Sequence, residues 1–228
     1  MNIVTIPMRY QDKLIGIVRL YTTEPPTCEK EDQRFLFAIA EQTATAIVNA
    51  RHFAKEISKE KEYLRVFEEI TKAISSTLDV EKVMNMIVSE IPKVINVKAA
   101  TIRLLDSTGE KLTLVAANGL SQKYLDRGSI DTEKNVMDAL KEKPVAIYDV
   151  KTDERIKYPK EMDEEGIKSI LTVPVLARGK VLGILRLLTV EQRKFLQQEI
   201  DFVASLAEVS GIAIENATMY EKSQNGKL

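Results

Sequence analysis

The sequence predicts an α+β fold, a central antiparallel β-sheet with helices before and after it. A two-strand phrase occurs twice, as "IVTIPMRYQDKLIGIVRLYT" at 3–22 and "ILTVPVLARGKVLGILRLLT" at 170–189. Each copy runs into a segment with helical spacing of apolar residues. Two further strand-like runs joined by a turn lie between them, behind a helix of their own. Strands that return through short turns pair antiparallel, and helices gathered at the ends of such a sheet define the class.

Residues 3–10 and 13–22 read as strands rich in Ile, Val, Leu and Thr, with "YQDK" supplying the turn and Pro25-Pro26 ending the second. From about Glu31 to Ser76 the chain has neither Gly nor Pro. Leu36, Ile39, Ile47, Ala50, Ala54, Ile57, Leu64, Phe67, Ile70, Ile74 and Leu78 recur at helical spacing. One long connector helix is expected, with a short coiled-coil-like seam that Glu60 and Thr71 interrupt. Asp79 caps the next helix, "VEKVMNMIVSEIPKVIN". The strands "AATIRLL" and "KLTLVAAN" follow around "DSTGE". Loop, short helix and the strand "VAIYD" alternate over 119–168, where Gly166 suits a helix C-cap. The second hairpin occupies 169–189, and a last helix runs from about 192 to 222.

At an offset of 167, Pro7 falls on Pro174, Gly16 on Gly183 and Arg19 on Arg186 without a gap. Seventeen of the 48 positions from Ile3 to Ala50 are identical. That spacing is far beyond solenoid periods and points to a tandem of whole domains.

Composition excludes several classes. The 33 basic and 34 acidic side chains argue against a nucleic-acid or anionic-membrane surface. No apolar run reaches the ~20 residues that span a bilayer. The start of the chain carries Arg9, Asp12 and Lys13 where a signal peptide needs an apolar stretch. The lone Cys28 excludes an internal disulfide and is read as an idle thiol, so a cytoplasmic location is expected.

The phrases "LLDSTGEKLTLVAANGL", "IYDVKTDERIKYPKEMDEEGIKSILTVPV", "GKVLGILRLLT" and "AIENATMYE", in this order, resemble the GAF domain family of small-molecule sensor modules. The resemblance implies a GAF-like, PAS-related sheet. It also implies a C-terminal fragment of an upstream GAF domain at 1–55, a helical linker at 56–78, a complete GAF domain at 79–222 and a tail at 223–228. The N-terminal hairpin, short of sheet partners, is expected either to pair with another chain or to be held loosely.

The family shares a fold and not a ligand. Between Ala100 and Val190, where the resemblance places a ligand, there is no Cys, His, Phe or Trp. Bilin attachment lacks its cysteine, and thiol-dependent sulfoxide reduction lacks its several cysteines. Cyclic-nucleotide binding lacks its central Phe. The sole histidine, His52, lies outside this span and is unplaced for haem. No cofactor and no metal site are expected. Arg186 and, by strand alternation, Arg103 would face the pocket and clamp an anionic ligand as bidentate donors. Asp149, Arg155, Tyr158 and Thr172 are the expected wall partners. The alternative for Arg186 is a carboxylate partner in the core.

The expectation is a non-enzymatic sensory module of a bacterial-type signalling protein. It would bind a small ligand, form a homodimer through the linker and C-terminal helices, and pass its signal to an effector domain. The alternative is a ligand-free dimerisation scaffold whose pocket its own side chains fill.

Overall fold

A computed structural model describes residues 2–23, 30–76, 79–131, 133–141 and 143–225, with side chains described as far as 220. Cys28, Pro25-Pro26 and Leu78 lie outside the described residues, as does the end of the tail. The chain divides into two compact units, Met1–Lys61 and Glu62–Leu228.

In the first unit, β1 (Asn2–Tyr10) and β2 (Lys13–Thr22) pair antiparallel around Gln11-Asp12. Both turn residues have positive φ, 46° and 61°, the conformation that lets a two-residue hairpin follow the strand twist. Helix α1 (Lys30–Ser76) begins here, close to the expected Glu31. Ile6, Ala40 and Ala44 are buried. Ile3, Ile17, Tyr21, Phe35, Phe53 and Ile57 are exposed, as is every residue from 51 to 61.

In the second unit, the remaining turns of α1 bury Val66 and Ile70, and Tyr63 stacks on Phe202 with ring centroids 4.4 Å apart. The Asp79 carboxylate accepts the Lys82 N–H at 3.0 Å and starts α2 (Val80–Ile95) as expected. Strands β3 (Ala99–Leu105) and β4 (Leu112–Asn118) form the middle hairpin. Short elements follow: α3 (Gln122–Leu125), α4 (Lys134–Ala139), β5 (Val145–Ile147) and α5 (Pro159–Glu164). Gly166, at φ 76°, closes α5. Strands β6 (Ser169–Ala177) and β7 (Lys180–Thr189) and helix α6 (Gln197–Asn225) complete the chain. Helix α6 starts later than expected, because the Leu196 N–H is taken by the Glu199 carboxylate at 3.0 Å and Arg193 reaches the Ile95 carbonyl at 3.1 Å.

The five strands form one antiparallel sheet in the order β4-β3-β7-β6-β5. Its faces separate by strand alternation. Ala100, Ile102, Leu171, Val173, Val175, Leu185 and Leu187 pack with residues of α1, α2 and α6. Ala99, Ile147, Ile170, Ile184 and Leu188 face the segment 119–168. Leu182 breaks the alternation expected for β7 and joins the helix side. The register shift after Val175 pairs Gly183 with Val175 and Val181 with Leu176, which leaves Leu182 unpaired.

Two glycines let elements close up. A Cβ on Gly183 would collide with the Arg103 carbonyl oxygen, and one on Gly211 with that of Leu176. Pro174 lies where β6 is an edge, since β5 pairs only with Ile170–Thr172.

Candidate anion-binding site

The site lies between the sheet and 119–168, and β7 sets its centre. Arg186 projects from the face opposite Leu185 and Leu187, directly across from Thr101 on β3 and Thr172 on β6. It is 1% exposed. Its Nη2 donates to Glu133 Oε2 at 3.1 Å and weakly to Asn135 Oδ1 at 3.5 Å. Glu133 holds the N-cap position of α4, yet its side chain makes no capping bond and turns inward to Arg186 instead. Asn135 fixes the arrangement. Its Nδ2 donates to Glu133 Oε2 at 3.0 Å and to the Arg155 carbonyl at 3.1 Å, and its Oδ1 accepts from the Thr172 hydroxyl at 3.3 Å.

Around this pair stand Arg103 on β3 and Tyr124 and Arg127 at α3. The Arg127 guanidinium lies 3.6 Å from the centre of the Tyr124 ring and donates to the Tyr124 carbonyl at 2.7 Å. The groups feel one another electrostatically. Burial lowers the pKa of Arg103, and the positive charge of Arg186 lowers it further. Burial also lowers Arg127, partly offset by Tyr124, with Arg186 again adding. Burial raises the Tyr124 phenol while Arg186 and Arg127 oppose the rise.

Five buried polar atoms here have no hydrogen-bond partner among the described residues: Arg186 Nε and Nη1, Glu133 Oε1, Tyr124 Oη and Arg127 Nε. A buried polar group without a partner carries a desolvation cost of about 1–3 kcal/mol, so native proteins leave few of them. Three guanidiniums and one phenol around Glu133, with Asp131 acting on Arg103 alone, are suited to holding an oxyanion.

The structure treats the six sequence-chosen residues differently. Arg103, Thr172 and Arg186 share the expected sheet face. Tyr158 sits at the rim, its hydroxyl donating to the Ser129 carbonyl at 3.0 Å. Asp149 and Arg155 stand apart. The Asp149 carboxylate accepts the Lys151 N–H at 2.9 Å in a local turn. The Arg155 guanidinium is held in two bonds to Asp153, at 2.8 and 2.6 Å, and only its carbonyl reaches Asn135. Tyr124, Arg127, Glu133 and Asn135 were missed by sequence reasoning. They sit in loops and one-turn helices with no periodic pattern that would have marked them.

Among the described residues no group of three or more His, Cys, Asp or Glu could hold a metal ion. No helix among them is long and apolar enough to cross a membrane.

The profile of the GAF domain family matches residues 77–215. This chain belongs to the GAF domain family. It is 22% identical over 231 residues to a formate hydrogenlyase transcriptional activator of Salmonella typhimurium, an alignment that takes in 95% of this chain and 33% of the relative. The chain therefore spans about a third of that relative's length. The GAF domain of a phosphoenolpyruvate-protein phosphotransferase from Coxiella burnetii superposes with a TM-score of 0.61 at 20% identity, covering 74% of this chain and 98% of that one. A free methionine-R-sulfoxide reductase from Neisseria meningitidis, solved with its substrate, superposes with a TM-score of 0.58 at 16% identity, covering 69% and 91%. At these identities the two solved structures speak for the fold alone.

Proposed function

We propose that the second unit is a non-enzymatic regulatory GAF module that binds a small anion and passes its occupancy to an effector in a bacterial-type signal-transduction protein. The cluster of unpartnered Arg186, Arg127, Tyr124 and Glu133 atoms carries this reading. GAF domains are generally regulatory, and the likeness to transcriptional activators supports a signalling context. A route for the signal exists in the sheet itself. Arg186 alternates with Leu185 and Leu187, whose side chains pack in the core shared by Val66 and Ile70 of α1 and Val203 and Leu206 of α6. A shift of β7 at the site is felt by the helix that enters the domain and the helix that leaves it.

The first unit is read as the closing hairpin and helix of an upstream GAF domain, spanning 1–55, with 56–78 as the linker and 79–222 as the complete domain. The cross-strand pair Thr5–Arg19 repeats Thr172–Arg186 in register, which supports this. Ile3, Ile17 and Tyr21, the counterparts of buried Ile170, Ile184 and Leu188, are exposed, as expected of a sheet face without its cover. Exposed apolar residues on α1 (Phe35, Phe53, Ile57, Leu64) and α6 (Ile212, Met219) support a homodimer through these helices. A monomeric mass in light scattering at high concentration would exclude it.

The anion reading is tested by thermal-shift and calorimetric titration with monocarboxylates, dicarboxylates and nucleotides, comparing wild type with Arg127→Met and Arg186→Ala. At least one anion should raise the wild-type midpoint, and the rise should be lost in Arg127→Met. Unchanged midpoints throughout would overturn the reading. They would favour the second reading, a ligand-free dimerisation scaffold, which the internal Arg186–Glu133 pair supports because that carboxylate already occupies the arginine.

A further inference from the structure

Resting on the anion reading, we infer that the ligand is a small 2-hydroxycarboxylate, an anion that carries its own hydroxyl donor beside the carboxylate. The inference comes from what the unpartnered atoms require. Arg186 Nε, Arg186 Nη1 and Arg127 Nε are donors with no acceptor among the described residues, and Tyr124 Oη can donate as well. Glu133 Oε1 is the opposite, an ionisable carboxylate oxygen with no donor, on the residue whose other oxygen holds Arg186. Both side chains are buried, at 1% and 0% exposure.

A bare carboxylate would satisfy the guanidiniums but leave Glu133 Oε1 without a donor. A hydroxyl on the adjacent carbon removes that defect, since it donates to Glu133 while the carboxylate accepts from Arg186 and Arg127. Sites with such unpaired buried groups reject analogues that lack the matching hydroxyl. An amino acid would also supply donors, but its ammonium would be brought against the buried Arg186 guanidinium, whose positive charge already lowers the pKa of Arg103 and Arg127. Like charges in so small a volume repel strongly. The neutral hydroxyl is the better match.

The burial of Arg186 and Glu133 also limits size. Tyr124 lines a surface hollow with Ser121, Lys123, Glu161, Glu164 and Glu165, while its hydroxyl stays buried.

The experiment is calorimetric titration of the 228-residue chain with matched pairs, glycolate against acetate and lactate against propionate. Alanine and inorganic phosphate are further arms. The hydroxy member of each pair should bind at least about tenfold more tightly, lactate should exceed alanine, and phosphate should compete weakly or not at all. Glu133→Gln should shrink the hydroxyl preference to less than about threefold. Tyr124→Phe, which leaves Glu133 in place, should weaken both members alike and preserve the ratio. Equal affinity within the wild-type pairs overturns the inference while leaving the anion reading standing, and so does tighter binding of alanine or of phosphate. An unchanged ratio in a folded Glu133→Gln chain does the same. Absence of binding by every anion overturns the anion reading itself.

Discussion

Arg186 on β7 and Glu133 at the head of α4 form an ion pair at 3.1 Å whose side chains are 1% and 0% exposed. The pair ties the middle of the sheet to the segment that covers it, 53 residues earlier in the chain. Removing one partner of such a pair leaves an uncompensated buried charge, at a cost of about 3–5 kcal/mol, whereas replacing both by apolar groups is often close to neutral. Arg186→Met should therefore destabilise the second unit by about that amount. The double variant Arg186→Met with Glu133→Leu should regain most of the loss. Urea denaturation of both variants checks this, and a double variant no better than the single would show that the pair is not the source of the cost.

Tyr124 gives a prediction of opposite sign. Its hydroxyl is buried without a partner among the described residues, so the unliganded fold gains nothing from it. Tyr124→Phe keeps the ring beneath the Arg127 guanidinium. Its unfolding midpoint should match wild type or rise, by up to about 1–3 kcal/mol of stability. A clear loss of stability would mean that the hydroxyl is satisfied in the unliganded protein.

The sheet was legible in the sequence because burial on one face imposes a period of two, which Ile170, Thr172 and Pro174 against Leu171, Val173 and Val175 follow without interruption. The long helix was legible for a similar reason, through the absence of breakers. The site was legible only where it rests on those elements. Arg103 and Arg186 could be placed on one face by counting along strands. Glu133 could not, because its role depends on a cap residue turning its side chain inward, a choice made by the distant Arg186. Asp149 and Arg155 were drawn from the right segment, but short-range partners, the Lys151 amide and Asp153, claimed them first. Local competition of this kind leaves no periodic trace. The bulge that turns Leu182 to the helix side was equally silent.

The repeat offers a paired test. Gly16 and Gly183 are equivalent at the offset of 167, but their neighbours differ. A Cβ on Gly183 would meet the backbone of β3 at the Arg103 carbonyl, which cannot move without parting two strands. A Cβ on Gly16 would meet the Met8 terminal methyl at 2.6 Å, the far end of a flexible side chain. Gly183→Ala should cost about 1–3 kcal/mol or more as the sheet is forced apart, and Gly16→Ala should be nearly neutral. Circular-dichroism melts of the two variants decide it, and equal effects would mean that the strands around Gly16 are as confined as those around Gly183.

Glu165 anchors the end of α5 to the entry of α3. Its carboxylate accepts from Lys98 Nζ at 2.7 Å, from the Ser121 N–H at 3.2 Å and from the Ser121 hydroxyl at 2.5 Å. Burial pushes its pKa upward, but these hydrogen bonds outweigh burial and leave it below the ordinary value of 4.5. A carboxyl with a lowered folded-state pKa binds its proton more weakly in the folded chain than in the unfolded one. The stability it contributes is therefore fully present above about 4.5 and is lost as pH falls through the lower folded-state value. Glu165→Gln should cost about 1–2 kcal/mol at pH 7, the size of charge-assisted hydrogen bonds at a partly buried site. The gap between wild type and variant should close as the pH is lowered below about 4.5. Denaturation midpoints measured from pH 7 down to pH 3 test the sign. A gap that stays constant, or widens in acid, would mean that the Lys98–Glu165–Ser121 contacts do not favour the ionised carboxylate.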